Sequence, residues 1–345
     1  MKKILLSITS AALLLLNNNS YGSCSFSPPS GYTGHLNVQS KYDPNDPTRS
    51  KEVRPDSNSV VIHNKLNKYA YGISKISDYY ITNHDQRKKD LAIDCYNLWL
   101  NSWAGSNSLE TQSASHTGKA LRAWTLSSIS TSTLTLINAT NNNWTPSSSQ
   151  KVWLSKLADN VINDYQDRLI TAPEKINNHD YWAAWSVAAT GLFTENRRFL
   201  DWSYTVLIHS LYQVIPDAKN KTGYLPNEVG RGRLGVKYSH FAVTPIVMLS
   251  SFLQKEGYVL HYEEQLRLKK LVDFTAEFTL STTSYSHLTN YSQHEVPNEM
   301  MSWLIPYNRE YKNSDLAKDL ENTINSSLNM IQLGGDINPL FPVSP

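Results

Sequence analysis

Long stretches of this chain repeat an apolar residue every three or four positions, and this spacing constrains the fold more than any other feature. Such a period places the apolar side chains on one face of an α-helix. Two of the clearest faces are Ala92, Cys95, Tyr96, Trp99, Leu100 and Trp103, and Leu154, Leu157, Ala158, Val161, Ile162 and Tyr165. Similar patterns run through 199–206, 246–253 and 268–272, while the alternation that indicates strands is scarce. The sequence therefore predicts an all-α protein with at least seven helices.

The polar segments between these helices are short, which favours antiparallel helical hairpins wrapped into a barrel or toroid. The longest predicted loop is the Asn-, Ser- and Thr-rich stretch 138–150. Residues 23–58 are rich in Pro, Ser, Asp and Asn and predict an extended arm or a loop with turns, and the tail 338–345 predicts coil. No linker-like change of composition divides the chain, so we expect residues 23–345 to form a single domain.

The first 22 residues have the pattern of a secretory signal peptide. Lys2 and Lys3 precede an apolar run, 4–16, that is too short to span a bilayer, and small residues follow near Gly22. We therefore expect cleavage after Gly22 and export to the periplasm. No later stretch is apolar and long enough for a membrane helix, so we expect no membrane insertion.

The mature chain is expected to be electrically neutral. Removal of residues 1–22 takes away two lysines and no acid, so 32 basic and 30 acidic residues become 30 and 30. An acidic polymer would then be bound by local groups of Lys and Arg rather than by the overall field. The absence of a basic block or a known binding motif argues against nucleic acid as a partner.

Cys24 and Cys95 are the only cysteines in the sequence. An exported compartment favours a disulfide between them, which would join the N-terminal arm to a predicted helix. The alternative is a lipoprotein acylated at Cys24, although Tyr21 stands where such signals usually carry an aliphatic residue.

Two distant segments supply four polar groups that suit one reaction. The segment 176–182 contains Asn178 and His179, and Arg231 is followed seven residues later by Tyr238. Arg231 and Asn178 can bind and neutralise a substrate carboxylate, while His179 and Tyr238 can move protons on the neighbouring atoms. These groups predict a β-elimination on a uronic acid.

The C5 proton of a uronate is poorly acidic, because its removal adds a second negative charge to the π-system of the carboxylate. Hydrogen bonds from Arg231 and Asn178 would stabilise the enolate-like state most. In mannuronate the C5 proton and the C4 leaving oxygen lie on one ring face, so one residue, for which we choose Tyr238, can be both base and acid. We expect Arg231 to lower the pKa of Tyr238 by favouring phenolate. His179 either holds the tyrosyl proton or assists at C5, and the sequence leaves both roles open.

Seven short motifs occur in order along nearly the whole mature chain. They are Tyr32-Thr33-Gly34, Ser40-Lys41-Tyr42, His116-Thr117-Gly118-Lys119, the segment 177–185 around Asn178-His179 and Tyr181-Trp182, Leu225-Pro226-Asn227-Glu228, the segment 303–307, and Leu333-Gly334-Gly335-Asp336. Together they resemble the periplasmic alginate lyases specific for poly-mannuronate. The resemblance implies an incomplete α/α toroid whose groove cleaves alginate by β-elimination and leaves a 4,5-unsaturated uronate, with no metal and no cofactor.

Matched position by position, the resemblance makes Asn178, His179, Arg231 and Tyr238 the catalytic residues and places Lys41 in the groove. Further candidates for substrate binding are Tyr42, His116, Lys119, Arg122, Tyr181 and Trp182. The remaining helix-spaced tryptophans, Trp99, Trp103, Trp124 and Trp202, are assigned to packing. Asp336 either orients a groove residue or closes its Gly-Gly turn.

The chain also departs from the family pattern. Asp180 and Ser239 stand where the family usually has Ser and His, close to the expected chemistry, and they put subsite preference and pH optimum in question. Ile305 and Gln332 replace a Glu and a basic residue, a matched change that would leave the fold intact.

Each candidate also has a purely structural interpretation. Asn177, Asn178 or Asp180 can cap a helix. Arg231 and Tyr238 can share one helix face, and Lys41 can be a solvated side chain. Motifs of metal or serine hydrolases, H-E-x-x-H and G-x-S-x-G, are absent from the sequence.

Two other functions remain open from sequence. One is a glycoside hydrolase on the same toroid with Asp180 and Glu228 as paired carboxylates. The other is a non-catalytic periplasmic protein that binds uronate polymer during export. The expected partners are the anionic polysaccharide alginate and, by contact, a polymer export complex.

Overall fold

The structure is a computed structural model that describes Cys24 and residues 27–342. The expected signal peptide, residues 1–22, lies outside the described residues. Eleven α-helices and one β-hairpin occur within the described part of the chain. The helices are α1 Ser57–Thr82, α2 Gln86–Gly105, α3 His116–Ala139, α4 Ser148–Thr171, α5 Asn178–Thr194, α6 Arg197–Tyr212, α7 Pro226–Val229, α8 Gly235–Lys255, α9 Tyr262–Leu280, α10 Leu304–Glu310 and α11 Asp315–Asn322. The strands are β1 Ile215–Asp217 and β2 Thr222–Tyr224, which pair antiparallel with Ile215 opposite Tyr224.

Eight of the helices form four hairpins in two layers. Helix α1 packs on α2, α3 on α4, α5 on α6, and α8 on α9. The first helix of each hairpin also contacts its counterpart in the next, so that α1, α3, α5 and α8 make an inner layer and α2, α4, α6 and α9 an outer one. This is the wrapped arrangement of helical hairpins that the sequence predicts, and it gathers the starts of the inner helices around one site.

Small residues make the inner layer possible. Helix α3 buries Ser and Thr at eight positions, 125, 127, 128, 130–133 and 135. Their hydroxyls are satisfied within the protein: Thr125 donates to the carbonyl of Leu121 at 2.7 Å, and Ser130 bonds to Thr190 of α5 at 2.8 Å. Short side chains let these helices approach closely, and the hydrogen bonds remove the penalty of burying polar groups.

The predicted outer helices are confirmed. The apolar faces proposed for residues 92–103 and 154–165 are buried in α2 and α4. Polar residues begin these helices as expected: Asp85 accepts from the N–H of Arg87, and Ser147 forms a reciprocal capping box with Gln150. Apolar burial on one face therefore fixes the outer layer, and the caps fix where each helix begins.

The N-terminal arm is largely extended, as predicted, and reaches α1 at Ser57. Cys24 and Cys95 form a disulfide with their Cα atoms 5.4 Å apart. The predicted disulfide is therefore confirmed, and a thioether-linked lipid on Cys24 is incompatible with it. The bond covalently joins the beginning of the arm to α2.

Two predicted loops differ from the structure. The predicted loop 138–150 is shorter, because α3 continues to Ala139 and α4 begins at Ser148. The tail, as far as residue 342, is packed on the core and is not free coil. Leu340 and Phe341 are buried, and Phe341 packs edge-on against Phe252 of α8. Within residues 27–342, no helix combines the length and the apolar character that crossing a bilayer requires.

Candidate active site

The first turn of α5 carries the Asn-His pair. Asn177 caps the helix, with its side chain accepting from the backbone N–H of His179 at 3.0 Å, and the Asp180 carboxylate accepts from the N–H of Asn177 at 2.8 Å. The capping interpretation is therefore right for Asn177 and Asp180. It does not account for Asn178 and His179, whose side chains the cap leaves for other contacts.

Asp180 is a buried structural carboxylate. The Arg168 guanidinium of α4 binds it in a bidentate manner, at 3.0 and 2.6 Å. Burial raises the pKa of Asp180 to about 6, although the charge of Arg168 lowers it. Because both oxygens are occupied by Arg168 and the helix cap, Asp180 supports the site from behind.

Glu228 lies in α7 and faces Asn178. Its carboxylate accepts from the backbone N–H of Asn178 at 2.9 Å and from the Nδ2 of the same residue at 2.8 Å. Burial raises the pKa of Glu228 to about 7, against the lowering effects of the Asn178 hydrogen bonds and of Arg231. Neither Asp180 nor Glu228 is exposed to attack a glycosidic bond, so the geometry opposes the glycoside hydrolase alternative.

Arg231 and Tyr238 meet across a turn and do not share a helix. Arg231 precedes α8, Gly232 follows with a φ of 54°, in the left-handed region, and Tyr238 lies in the first turn of α8. The guanidinium carbon of Arg231 is 3.8 Å from the centroid of the Tyr238 ring. The Nε and Nη2 of Arg231 donate to the backbone carbonyls of Thr48 and Arg49 at 3.1 and 2.6 Å.

The segment 41–52 brings two further candidates to this pair. The rings of Tyr42 and Tyr238 lie edge to face, with their centroids 6.3 Å apart, and each phenol affects the pKa of the other. Arg231 is 5.0 Å from the Tyr42 ring. Lys41 is also 5.0 Å from that ring, and its Nζ pairs with Glu52 at 3.0 Å. The structure thus brings together Arg231, Tyr238, Tyr42 and Lys41.

The pKa of Tyr238 is opposite to the prediction. Burial raises it well above 10, and Arg231 offsets that effect only in part. The prediction that Arg231 would yield a low pKa is wrong because desolvation of the phenolate outweighs one cation that is itself hydrogen-bonded elsewhere. In the ligand-free site Tyr238 is a phenol.

His179 is neutral. Its ring stacks on that of His116 at 4.9 Å, with Trp124 edge-on at 5.5 Å. Burial, and then the charges of His116, Arg168 and Arg231, lower its pKa to about 3. Its Nδ1 finds no hydrogen-bond partner among the described residues.

A row of rings connects His179 to Tyr238. Trp124 contacts Phe241 at 5.7 Å, and Phe241 contacts Tyr238 at 6.3 Å. Arg231 acts electrostatically on both His179 and Tyr238. The imidazole and the phenol that the sequence singled out therefore belong to one site.

Three predicted groove residues are instead part of the core. Arg122 is completely buried, pairs with Asp164 at 2.9 Å and donates to the carbonyl of Thr111. Tyr181 donates to Gln213 at 2.8 Å, and the indole of Trp182 donates to the carbonyl of Phe241 at 2.8 Å. Because both aromatic side chains are fully buried, the prediction that they bind substrate is wrong, as it is for Arg122.

Lys119 is intermediate in burial between the core residues and the exposed surface. Its ammonium lies 3.7 Å from a carboxylate oxygen of Asp164, and its side chain retains 36% of its exposure. One turn of α3 therefore directs Arg122 inward and leaves Lys119 near the surface, on the same side as His116.

Three residues of the site were not predicted. Arg49 and Arg168 act electrostatically on both His116 and His179, and Trp124, which was assigned to packing, packs against His179. Arg49 lies in an irregular loop and has a positive φ of 49°, for which the sequence carries no signal. For Trp124, the adjacency of α3 and α5 would have been needed. No group of three potential metal-ligating side chains occurs within the described residues.

An arc of helical hairpins whose inner helices present a neutral imidazole and a phenol, with guanidinium groups added by α4 and by two loops, defines a site for acid–base chemistry on an anionic substrate. The family model for alginate lyase matches residues 37–285, and the chain belongs to that family. An alginate lyase of Pseudomonas putida is 30% identical over 330 residues, which are 92% of this chain and 85% of the relative. One of Pseudomonas syringae pv. tomato is 30% identical over 91% of this chain and 82% of the relative.

Solved structures support the fold. A tyrosine-to-phenylalanine variant of alginate lyase A1-III, complexed with a tetrasaccharide, has a TM-score of 0.72 at 13% identity over 93% of this chain and 86% of that chain. A histidine-to-alanine variant of the same lyase, also complexed with a tetrasaccharide, has a TM-score of 0.72 at 14% identity over the same shares. The predicted all-α incomplete toroid is confirmed.

Proposed function

We propose that this protein is a polysaccharide lyase that cleaves alginate by β-elimination and prefers poly-mannuronate. The observation that carries the proposal is the meeting of Arg231 and Tyr238, 3.8 Å apart, in one site with the neutral His179. The names of the relatives specify alginate as the polymer, and two neighbouring structures hold a tetrasaccharide.

The cations around the site suit a uronate chain. Arg231, Arg168 and Arg49 all act on His179, and Lys119 lies on the same side. In a site that excludes water, such charges stabilise the negative charge that develops as the C5 proton leaves. Substrate carboxylates would in turn offset these cations and raise the pKa of His179, which makes the imidazole a better base when substrate is bound.

The protonation states of His179 and Tyr238 favour a mechanism in which each residue carries out one of the two proton transfers. His179, being neutral, accepts the C5 proton; the electron pair of that bond forms the C4–C5 double bond, and the C4–O bond breaks. Tyr238, being protonated, donates its proton to the leaving oxygen. A single Tyr238 serving both steps, which we chose from the sequence, would first require loss of a proton that burial holds firmly.

Substrate choice and location are part of the proposal. In mannuronate the C5 proton and the leaving oxygen share one ring face, so adjacent groups on one wall of the groove can reach both. We propose that residues 1–22 are a signal peptide, that the protein acts in the periplasm as a single domain of residues 23–345, and that it can contact a polymer export complex. The amino-terminal sequence and the disulfide support export.

The test is product analysis on poly-mannuronate, poly-guluronate and glucuronan. A lyase leaves a conjugated double bond, so the ultraviolet absorbance of a poly-mannuronate digest should rise and its mass should match unsaturated oligomers. A saturated product would establish hydrolysis instead, and binding without cleavage would establish a non-catalytic protein. Equal turnover of poly-guluronate would contradict the proposed preference.

A further inference from the structure

Glu228 fixes which end of the Asn178 amide faces the site. An ionised carboxylate only accepts hydrogen bonds, so the Nδ2 of Asn178, at 2.8 Å, must face Glu228 and its Oδ1 must point away. The backbone N–H of Asn178 binds the other oxygen of Glu228 at 2.9 Å, which prevents the carboxylate from turning.

The Oδ1 of Asn178 is an unsatisfied acceptor. Asn178 is 3% exposed, and its Oδ1 has no hydrogen-bond partner among residues 27–342. Leaving a buried acceptor unpaired costs about 1–3 kcal/mol, so a ligand that donates a proton to it is favoured. An ionised carboxylate has no proton to donate, whereas a carboxylic acid has one.

The charges around the site act on a bound carboxyl in opposite senses, and the one that contacts Asn178 directly, the Glu228 carboxylate, favours its acid form. Glu228 is faced by Asn178 from α5, by Arg231 from the turn before α8 and, at longer range, by Asp180. The cations Arg168 and Arg49, which favour the ionised form, act on His116 and His179 at the same helix end.

A substrate carboxylate placed against Asn178 would therefore meet an amide oxygen and a second carboxylate. When two acidic groups share one site, one of them retains a proton.

We propose that Glu228 is a positioning residue that orients Asn178, so that its Oδ1 accepts a hydrogen bond from the substrate carboxyl group bound in its neutral form. This rests on the proposed lyase function and specifies the protonation state of its substrate. The proton comes from solvent when the polymer binds and stays on the carboxyl oxygen. Loss of the C5 proton then produces an enediol-like state with one negative charge fewer than an enolate dianion.

Exchanging the carboxylate and the amide between positions 228 and 178 tests whether Glu228 orients the Asn178 amide. In Glu228→Gln the new amide can donate to the Oδ1 of Asn178, so the Asn178 amide turns and presents Nδ2 to the site. We expect kcat on poly-mannuronate to fall about 10²-fold while KM changes little, because binding of the carboxyl survives without its neutralisation. Asn178→Asp alone should be similarly impaired. The double variant Asn178→Asp/Glu228→Gln again presents an acceptor oxygen and should recover most of the lost kcat.

A matched control separates an effect on the orientation of Asn178 from an effect on the stability of the protein. Glu264 is also a buried carboxylate at a helix end, where it accepts from the N–H of His261 at 2.6 Å, far along the chain in α9. Glu264→Gln should lower Tm and leave kcat near that of the parent. If Glu228→Gln behaves like Glu264→Gln, or if the double variant is no better than the poorer single variant, the proposal is wrong.

A spectroscopic measurement needs no change at Glu228. A mannuronate tetrasaccharide labelled with ¹³C at C6 would be bound to the Tyr238→Phe variant. The ¹³C shift of one carboxyl should move toward that of the protonated acid at a pH where the free sugar is ionised. Carboxyl shifts that all remain those of the ionised sugar would overturn the proposal, while formation of unsaturated product by the parent enzyme would still uphold the lyase function.

Discussion

The imidazole rings of His116 and His179 stack 4.9 Å apart with their planes 16° from parallel. In a stack the ring nitrogens point outward, so no hydrogen bond passes from one ring to the other. The rings are therefore coupled by charge: protonation of His116 lowers the pKa of His179. The residue that we propose as the base thus depends on a neighbour that transfers no proton to it.

His116→Phe should change the pH profile of the enzyme. Phenylalanine keeps the stack and removes a charge that disfavours the imidazolium form of His179, so the pKa of His179 should rise. Because the proposed base must be neutral, the acidic limb of the kcat/KM profile should move to higher pH. The measurement is kcat/KM on poly-mannuronate across the acid range. An unmoved limb would show that His179 is not the titrating base.

Tyr238→Phe should lower kcat by at least about 10²-fold, because the leaving oxygen loses its proton donor while the ring remains under Arg231. Binding of a mannuronate oligomer, measured by calorimetry, should be largely retained. Tyr71→Phe is the matched control, since Tyr71 is an exposed tyrosine of α1. Parent-like turnover by Tyr238→Phe would remove the phenol from the mechanism.

Arg122→Met should destabilise the protein and leave KM unchanged. The substitution leaves Asp164 without the buried guanidinium that it pairs with at 2.9 Å, a loss of about 3–5 kcal/mol. Urea unfolding gives the stability, and Arg122→Met/Asp164→Leu should recover much of it. A large rise in KM in the folded single variant would show that Arg122 contributes to substrate binding, as the sequence predicted.

His240 makes the protein sensitive to acid. It is buried, accepts from the indole of Trp303 at 2.9 Å through Nδ1, and bonds to Thr279 at 2.7 Å through Nε2. Burial lowers its pKa from 6.5 to about 3, so only the unfolded chain takes up a proton between these values. The contribution of His240 to stability is therefore complete above pH 6.5 and is lost as pH falls toward 3, by at most about 5 kcal/mol.

His240→Asn keeps an acceptor for Trp303 and removes this titration. The fall of Tm between pH 6.5 and 4 should be shallower in the variant than in the parent, whatever their difference at neutral pH. Parallel curves would show that other groups, such as His179, cause the acid sensitivity.

Replacement of both cysteines by serine should lower stability by about 4 kcal/mol, because the disulfide closes a loop with a sequence separation of 71 residues and restricts the unfolded chain. Unfolding of the parent with and without reductant gives the same comparison. Turnover at low temperature should persist, since neither cysteine contacts the site.

The outer layer was the part of the fold most readily predicted. Helices α2 and α4 carry wide apolar faces against solvated ones, and this contrast shows directly in the sequence. Helices α3 and α5 are buried nearly all round, so their apolar periodicity is weak. The Ser and Thr residues of α3 look, in the sequence, like those of a solvent-exposed helix face. The fact that these Ser and Thr residues are interior follows only from the packing of α3 between α1 and α5.

The sequence carried more information about which residues meet than about which way their side chains point. Asn178, His179, Arg231 and Tyr238 come together because two helix starts converge, as the motifs implied. Tyr181 and Trp182 follow directly after these residues, but helical geometry turns them into the core. The pKa of Tyr238 was predicted with the wrong sign because burial, unlike the neighbouring Arg231, is not visible in a sequence.

The disulfide encloses the arm and the whole of α1 in one covalent ring. A protease that cut the backbone once between Cys24 and Cys95 would leave two pieces still attached to each other. On a denaturing gel the nicked chain would run as two bands only after treatment with a thiol. A single cut in that region therefore cannot release the segment that carries Lys41 and Tyr42 from the rest of the enzyme.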